Sequence, residues 1–308
     1  MKPILTTLIF LTTICSINAQ ELFSRAFGNA GDTPVVFLHG GPGYNSANFE
    51  VTTAQKLADQ GYYVIVYDRR GEGRSEEVEA QFTFKETFAD LIVLQEQYGI
   101  QKSNLIGHSF GGVVATLFSE EHPDRVASVV LIGAPVSLQE TFETIIASSK
   151  EIYMEKGDTA NLNYIQMLEN MDKSSIQYSS YCFAHAMQNG FYSPKEPTAE
   201  AKAIYATFGT DETLKENASK MTYQAPQGFW KNENYTALDL TDTLGQLKYT
   251  VPVYALYGKD DGLYSEKQVS DLETILGNDQ LKYLDRCSHN VFIDQQEEFI
   301  AALVEWMK

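Results

Sequence analysis

Residues 103–118 read SNLIGHSFGGVVATLF, and this stretch decides the fold. An apolar, strand-like segment leads into GHSFG (107–111), and a helical pattern follows it. Glycines on both sides of Ser109 suit a sharp turn between a strand and a helix, because the neighbours of the serine must lack side chains there. Such a turn lifts the serine hydroxyl above the sheet edge. The stretch predicts a strand, a turn carrying a nucleophile and a helix; the plainer interpretation is a glycine-rich turn with an exposed serine.

The chain on either side of this stretch alternates short apolar runs with helical patterns. Short apolar runs bounded by turn residues are typical of buried parallel strands. The predicted strands are Val35–Leu38, Val64–Tyr67, Leu105–Ile106, Val126–Ile132, Val251–Tyr257 and Leu281–Leu284. The predicted helices are Phe49–Gln60, Phe84–Tyr98, Val113–Glu120, Glu266–Leu276 and Gln295–Met307. Strands alternating with helices predict an α/β fold, with a mostly parallel sheet flanked by helices.

Residues 136–243 interrupt this alternation, because no β-rich run occurs among them. The segment is rich in Tyr, Met, Asn, Glu and Lys, and its pattern indicates several helices. We interpret it as a helical lid inserted between a first part of the α/β core, residues 20–135, and a second part, residues 244–308. Its aromatic side chains are expected mainly to form the lid's own core, with one or two reaching an apolar pocket. They are Tyr178, Tyr181, Phe183, Phe191, Tyr192, Phe229 and Trp230.

The first twenty residues, MKPILTTLIFLTTICSINAQ, have the pattern of a targeting segment. Lys2 supplies a positive charge, an apolar stretch follows, and Ala19 places a small residue at the expected cut. Residues 1–19 are therefore predicted to be a secretory signal peptide, which makes the mature protein secreted or periplasmic. A rival interpretation gives Cys15 a lipid, but the bulky Ile14 before it disfavours that modification. No other stretch is long and apolar enough to cross a membrane.

The composition excludes some classes of partner and cofactor. Asp and Glu total 41 against 23 Lys and Arg, and the net charge of -18 would repel the phosphates of a nucleic acid. Outside the predicted signal peptide, Cys182 and Cys287 are expected to be buried free thiols. The sequence has no C-x-x-C pair and no H-x-x-x-H pattern, so no metal or other cofactor is expected. The expected partner is a small-molecule or short-peptide substrate.

A second glycine-rich loop, HGGPG (39–43), follows the first predicted strand. Its backbone can approach a ligand closely, and a free N–H on Gly41 would stabilise negative charge on a carbonyl oxygen under attack. The N–H of Phe110, at the start of a helix, would be the other donor of such an oxyanion hole. His39 precedes the serine in the chain and is expected to brace this loop by hydrogen bonds. His108 is expected to pack beneath the turn.

The general base that serves a nucleophile at such a turn should come last in the chain. His289 follows the last predicted strand, and catalytic groups gather in loops at the carboxyl ends of parallel strands. His122 lies in Glu-His-Pro at a helix end and His185 lies in the lid, so both are less well placed. The sequence therefore predicts that His289 takes the proton of Ser109.

The acid that orients this histidine should lie between the serine and the histidine in the chain. The segment GKDD (258–261) follows a predicted strand and offers two adjacent carboxylates. Spacing favours Asp261, and Asp260 is the alternative. Asp285 and Asp294 are further candidates, but each is so near the histidine in sequence that reaching its ring would be awkward. In chain order, the predicted triad is Ser109, Asp261 and His289.

Five motifs together resemble those of the α/β-hydrolase superfamily. They are HGGPG (39–43), YDRRGEGRS (67–75), GHSFGG (107–112), VPVYALYGKDD (251–261) and SHN (288–290). The resemblance spans nearly the whole chain after the predicted signal peptide. The pairing of HGGPG with D-x-R-G-x-G-x-S is most similar to the proline iminopeptidase branch, whose members release an N-terminal residue, often proline, from peptides. The resemblance implies a nucleophile, a base, an acid and two oxyanion donors: Ser109, His289, Asp261, Gly41 and Phe110.

The chain departs from that branch in three respects. The segment before the first buried strand is short, so one outer strand is expected to be missing. The branch's aminopeptidases often have a tryptophan after the nucleophile, where this chain has Phe110. Their lids supply glutamates, often beside tryptophans, that bind the substrate's free amine, whereas this lid has one tryptophan and no acid that can be aligned with that position. The lid acids include Glu155, Asp158, Glu169, Asp172, Glu196, Glu200 and Glu233.

Three functions are compatible with these residues. An aminopeptidase of the proline iminopeptidase type needs a lid acid for the substrate's ammonium group. A carboxylesterase or lipase-like hydrolase of small apolar esters needs only an apolar pocket. A non-catalytic relative that binds a ligand or partner usually lacks a triad member, whereas this sequence has all three. By the same resemblance, a dehalogenase or epoxide hydrolase is disfavoured because those enzymes carry an aspartate where this chain has Ser109.

Overall fold

Seven strands form one sheet in the computed structural model, which describes residues 21–307. They are β1 (Ser24–Phe27), β2 (Thr33–Leu38), β3 (Tyr62–Tyr67), β4 (Ser103–His108), β5 (Val126–Ile132), β6 (Val253–Gly258) and β7 (Leu281–Leu284). Their order across the sheet is β1-β3-β2-β4-β5-β6-β7. β1 pairs antiparallel with β3, and every other pair is parallel. The predicted signal peptide and Cys15 lie outside the described residues.

The six predicted strands are all present; β5 and β7 have the predicted bounds, and the other four have shifted ends. β6 begins at Val253, two residues later than predicted, because Pro252 has no N–H to donate to a neighbouring strand. The carbonyl of Pro252 still accepts the N–H of Val129 at 2.9 Å. β1 is an additional strand that the sequence did not reveal. It is short, lies at the sheet edge and has partly exposed side chains, so it lacks the apolar run that marks the central strands.

Helices of the α/β core connect and flank these strands. They are α1 (Ala47–Phe49), α2 (Gln55–Ala58), α3 (Phe84–Gln97), α4 (Phe110–Glu121), α12 (Glu266–Leu276), α13 (Val291–Asp294) and α14 (Gln296–Trp306). A π-helical turn at Glu50–Ala54 joins α1 to α2. The helix predicted at Gln295–Met307 is α14, one residue shorter at each end; Gln295, with φ -137° and ψ 58°, separates it from α13. The side-chain amide of Gln295 donates to the carbonyl of Asp285 at 2.7 Å.

The chain between β5 and β6 is helical. It contains α5 (Leu138–Lys156), α6 (Thr159–Glu169), α7 (Ile176–Gln188), α8 (Ala199–Thr207), α9 (Glu212–Asn217), α10 (Gln224–Glu233) and α11 (Thr241–Leu247). The side chains of Ser137, Asp158, Ser175 and Thr198 each accept an N–H in the first turn of the helix that follows, which fixes where these helices begin. Within residues 21–307, no helix is both apolar and long enough to serve as a membrane-spanning segment.

Both faces of the sheet are buried. Ile65 and Tyr67 of β3 belong to a hydrophobic cluster that includes residues of α3, α4 and the helices between β5 and β6. Val64 and Val66 of the same strand belong to a second cluster on the opposite face, with residues of α2, α13 and α14. Burial on both faces explains why the central strands read as continuous apolar runs.

Candidate active site

Ser109 forms a strained turn between β4 and α4. Its φ of 53° and ψ of -124° are unusual for a residue other than glycine, and strain of this kind clusters at functional sites. A β-carbon on Gly107 would lie 2.5 Å from the α-carbon of Gly112, and one on Gly111 would lie 2.0 Å from the carbonyl oxygen of Leu38. Glycine is therefore required at both positions. Ser109 itself is partly exposed between buried neighbours.

The ring of His289 is bonded to a buried carboxylate. His289 lies between β7 and α13, and Asp261 follows β6, so both come from the carboxyl ends of adjacent strands. Nδ1 of His289 is 2.8 Å from Oδ2 of Asp261, and these side chains are 5% and 0% exposed. The N–H of Leu263 donates to Oδ1 of the same carboxylate at 3.1 Å. The pair holds the histidine tautomer whose Nε2 can accept a proton.

Within residues 21–307, the Ser109 hydroxyl and the His289 ring do not form a hydrogen bond with each other. Hydrogen bonds of this kind are often long in the absence of substrate and shorten when substrate binds. The structure brings the two residues to the same sheet edge, at the ends of β4 and β7. His289 also touches the residue before the nucleophile, since its ring centroid is 4.8 Å from that of His108.

Of the four aspartates considered from the sequence, Asp261 is the one bonded to the His289 ring. Oδ2 of Asp260 instead accepts the N–H of Lys195 at 3.1 Å. Asp285 forms a surface ion pair with Lys259 at 2.9 Å. Asp294 lies behind the loop of the base, where it accepts the N–H of Ser288 at 2.8 Å.

The remaining histidines lie outside the Ser109–Asp261–His289 set. His122 ends α4 beside Glu121, and His185 lies in α7, bonded to the hydroxyl of Tyr153 at 2.8 Å. Nδ1 of His39 is 2.8 Å from the carbonyl of Gly40, and its Nε2 accepts the N–H of Arg69 at 3.0 Å. Burial, and next the charge of Arg69, hold the pKa of His39 well below its usual value. His39 is therefore neutral, and Nδ1 donates within the loop as the sequence predicted.

A buried ion pair holds the HGGPG loop in place. Nε of Arg69 is 2.9 Å from Oε1 of Glu72, and their side chains are 2% and 0% exposed. Arg69 also donates to the carbonyls of His39 at 2.5 Å and Gly40 at 2.7 Å, and Glu72 accepts the N–H of Gly43 at 2.6 Å. The pair thus fixes three backbone groups of the loop. In the sequence, Arg69 and Glu72 are noticed only as part of the motif at 67–75. Residue spacing does not show which backbone groups a buried arginine contacts.

The HGGPG loop lies against the nucleophile through Gly40. A β-carbon on Gly40 would be 3.2 Å from the β-carbon of Ser109, a close approach that the sequence did not identify. Gly41 has φ 119°, which favours glycine. The N–H groups of Gly41 and Phe110 donate to no protein acceptor within residues 21–307. Unpaired N–H groups beside a nucleophile are what an oxyanion hole requires, so this geometry is compatible with both predicted donors.

Aromatic side chains from the predicted lid reach the candidate site on two sides. The ring of Phe229 on α10 packs against Phe110 at 5.1 Å, and Tyr235 packs against the same ring at 5.5 Å. Tyr192 meets the His289 ring edge-on at 5.1 Å. Among the lid aromatics named from the sequence, Phe229 and Tyr192 therefore contact the predicted catalytic residues. The others include Tyr178, which packs on Phe142 inside the helical region.

The acids of the predicted lid are bonded elsewhere or open to solvent. Glu233 accepts the N–H of Phe84 at 2.8 Å, and Glu169 and Glu200 face lysines. None of the described Asp or Glu residues in 136–243 is buried. Over residues 21–307, no group of three or more His, Cys, Asp or Glu side chains is placed to hold a metal ion. Within these residues, Cys182 and Cys287 are buried free thiols.

Replacing Arg69 by Met is expected to lower the free energy of unfolding by about 3–5 kcal/mol, because Glu72 would keep a buried and unpaired charge. Activity should fall as well, since two loop carbonyls lose their donor. Urea unfolding and kcat/KM measure the two effects. The double variant Arg69→Met/Glu72→Gln should regain much of the stability. A single variant as stable as the parent would mean that the ion pair does not hold the loop.

A mostly parallel sheet that carries a serine at the turn between β4 and α4 is the architecture of an α/β hydrolase. A family model described as the alpha/beta hydrolase fold matches residues 33–296. The chain belongs to the α/β-hydrolase family, which confirms the fold predicted from the sequence, and it is a hydrolase.

Similar proteins include a proline iminopeptidase, a proline iminopeptidase-related protein and an esterase. The proline iminopeptidase of Lactobacillus helveticus (strain DPC 4571) is 25% identical over 297 residues, covering 93% of this chain and 94% of that protein. The crystal structure of a proline iminopeptidase-related protein from Thermus thermophilus matches with a TM-score of 0.65 and 24% identity, covering 93% and 92% of the two chains. An esterase from Exiguobacterium antarcticum matches with a TM-score of 0.60 and 18% identity, covering 93% and 95%. The predicted resemblance to the proline iminopeptidase branch is thereby confirmed.

Proposed function

We propose that the protein is a serine hydrolase that transfers an acyl group through Ser109, His289 and Asp261. The bond between His289 and Asp261, beside a strained and partly exposed Ser109, carries this proposal. His289 takes the hydroxyl proton as Ser109 attacks the substrate carbonyl, and the N–H groups of Gly41 and Phe110 stabilise the oxyanion. His289 then gives the proton to the leaving group. It next takes a proton from the water that attacks the acyl-enzyme, and it returns this proton to the Ser109 oxygen as the acyl–oxygen bond breaks.

For the substrate, we propose an aminopeptidase of the proline iminopeptidase type, which releases N-terminal residues from short peptides. The similarity to proline iminopeptidases across nearly the whole chain supports this choice, as do the paired HGGPG and D-x-R-G-x-G-x-S motifs. Arg69 and Glu72, at two unspecified positions of the second motif, hold the HGGPG loop, whose Gly40 lies beside Ser109.

Hydrolysis of small apolar esters is the second candidate, and one feature of the lid region favours it. An aminopeptidase needs a carboxylate for the substrate's ammonium group, yet Glu233, one turn beyond the aromatic contact with Phe110, already accepts a backbone N–H. An ester substrate needs only apolar surroundings, and the rings of Phe229, Tyr235 and Tyr192 pack against Phe110 and His289.

A substrate panel separates the two candidates. The mature protein, residues 20–308, is tested with prolyl and alanyl chromogenic amides, their N-acetylated forms and short-chain aryl esters. For the aminopeptidase we expect the prolyl amide to be preferred and N-acetylation to lower kcat/KM about 100-fold, because a charge-paired contact is lost. Ester cleavage without amide cleavage would discard the aminopeptidase and leave the serine hydrolase. Failure on all of these substrates and on a serine-reactive fluorophosphonate would count against both candidates.

We also propose that residues 1–19 direct export and are removed, so that the protein acts outside the cytoplasm. The charged start and apolar stretch of this segment support the proposal. Mass spectrometry of the protein recovered from its native cells should find an N-terminus at Gln20. A chain that retains Met1, or one that carries a lipid on Cys15, would overturn it.

A further inference from the structure

His108 joins the residue before the nucleophile to the backbone of the predicted base. Its side chain is buried, with 6% exposed, at the end of β4. Nε2 of its ring is 3.1 Å from the main-chain carbonyl oxygen of His289. The two residues are far apart in the chain, so only the fold creates this contact.

The ring of His108 also contacts two other elements of the site. A β-carbon on Gly40 would lie 3.3 Å from Nδ1 of His108, so the HGGPG loop passes directly beside the ring. The ring of Phe292 on α13 packs against it edge-on at 5.2 Å. The imidazole therefore fills the space between the predicted oxyanion loop, the loop of the base and α13.

The protonation state of His108 follows from its partner. A carbonyl oxygen can only accept, so Nε2 must carry the proton and donate it. Burial, and next the neighbouring His289, hold the pKa of His108 well below its usual value. The ring is therefore neutral and fixed in one tautomer. A neutral ring places no additional positive charge beside the imidazolium that forms on His289 during the reaction.

The loop of the base is anchored on its other side by Asp294. This buried carboxylate accepts the N–H of Ser288 at 2.8 Å and the hydroxyl of Ser288 at 2.7 Å. These bonds hold the residue before His289, whereas the bond from His108 holds the carbonyl of His289 itself. The bond between His289 and Asp261 fixes one point of the imidazole, and a ring held at one point can still pivot.

We propose that His108 is a positioning residue for the general base, an inference that rests on the serine hydrolase proposed above. Its Nε2–H holds the His289 carbonyl and thereby the direction in which the His289 side chain leaves the backbone. With Nδ1 bonded to Asp261, this second anchor aims Nε2 of His289 at the Ser109 hydroxyl. In this role His108 acts on the reaction only through His289.

Three substitutions of His108 test the proposal. His108→Leu removes the donor, and kcat should fall about 10- to 100-fold with KM nearly unchanged, because the base is misaimed while substrate binding remains. His108→Gln can place a side-chain N–H near the position of Nε2 and should restore most of kcat. His108→Asn is polar but too short to reach the carbonyl, so its kcat should stay low.

His185→Leu is the matched control. His185 is also buried and hydrogen-bonded, but it lies in α7 and bonds to Tyr153. Its replacement should leave kcat near that of the parent although it also removes a buried histidine. Thermal unfolding of each variant shows which proteins are folded at the assay temperature. If His108→Leu does not fold, the comparison of His108→Gln with His108→Asn replaces it.

The outcomes separate this inference from the proposed function. Equal kcat in the folded Leu variant and the parent, or equal kcat in the Gln and Asn variants, would overturn the role of His108. The serine hydrolase would stand in that case, provided that the parent reacts with a fluorophosphonate at Ser109. A parent that does not react there, or a Ser109→Ala variant with full activity, would overturn the proposed function itself.

Discussion

Ser109→Ala should reduce kcat by about 10⁶-fold, because removing the nucleophile of a serine triad leaves only binding and oxyanion stabilisation. Folding should be unaffected, since alanine meets the same backbone strain at φ 53° as serine does. Initial rates on the best substrate of the panel and thermal unfolding measure the two expectations. Ser119→Ala is the matched control, because Ser119 lies in the helix that follows Ser109 and its hydroxyl donates to the carbonyl of Ala115.

Ser109→Gly extends this experiment to the strain at the turn. Glycine adopts positive φ without steric cost, so this variant should be more stable than Ser109→Ala by about 1–3 kcal/mol. Chemical denaturation of the two variants gives the difference. Equal stability would mean that the turn stores no strain, and an Ala variant with parental turnover would remove Ser109 from the mechanism.

The sheet could be predicted from the sequence because its central strands are buried on both faces. Runs such as Val126–Ile132 are apolar throughout, and β5 has the predicted bounds. β1 could not be predicted, because an edge strand with half-exposed side chains has no such run. The short helix α13 was not predicted either, because four residues are too few for a helical pattern to show. The predicted start at Gln295 is one residue before α14, where Gln295 precedes the first helical residue.

The part of the candidate site that follows from the order of residues in the chain and from the ends of the strands could be predicted. Ser109 and His289 follow predicted strands in the order of an α/β-hydrolase triad, and the structure places them at one sheet edge. The choice between Asp260 and Asp261 could not be made with certainty from spacing, since both follow the same strand. It depends on how the chain turns after β6, where Asp260 bonds to Lys195 and Asp261 to the histidine.

The contacts that support the candidate site could not be predicted from the spacing of residues in the sequence. Arg69 and Glu72 are two charges in a polar motif, and a sequence cannot show that both are buried against a loop some thirty residues earlier. His108 was expected to pack beneath the turn, yet its partner is a backbone carbonyl 181 positions away. Such contacts form only when the ends of several strands come together in the fold, so no local sequence pattern predicts them.

Asp261→Asn is expected to lower kcat by about 10⁴-fold, because an amide no longer holds the tautomer of His289 or stabilises its imidazolium. Both side chains are buried, so water cannot substitute for the lost carboxylate. Asp260→Asn is the matched control, since it makes the same chemical change one residue earlier. The oxygen of the new amide can still accept the N–H of Lys195, and kcat should stay within about twofold of the parent, as for most surface substitutions.

The comparison of these two variants tests the acid independently of the nucleophile. A large loss in Asp261→Asn alone would assign the acid to the carboxylate that is 2.8 Å from Nδ1 of His289. A large loss in Asp260→Asn instead would mean that the loop after β6 turns differently during turnover. Small losses in both would leave Ser109 and His289 working without an orienting carboxylate. The bond from His108 to the His289 backbone would then be the main constraint on the base, and His108→Leu should show a larger loss in Asp261→Asn than in the parent.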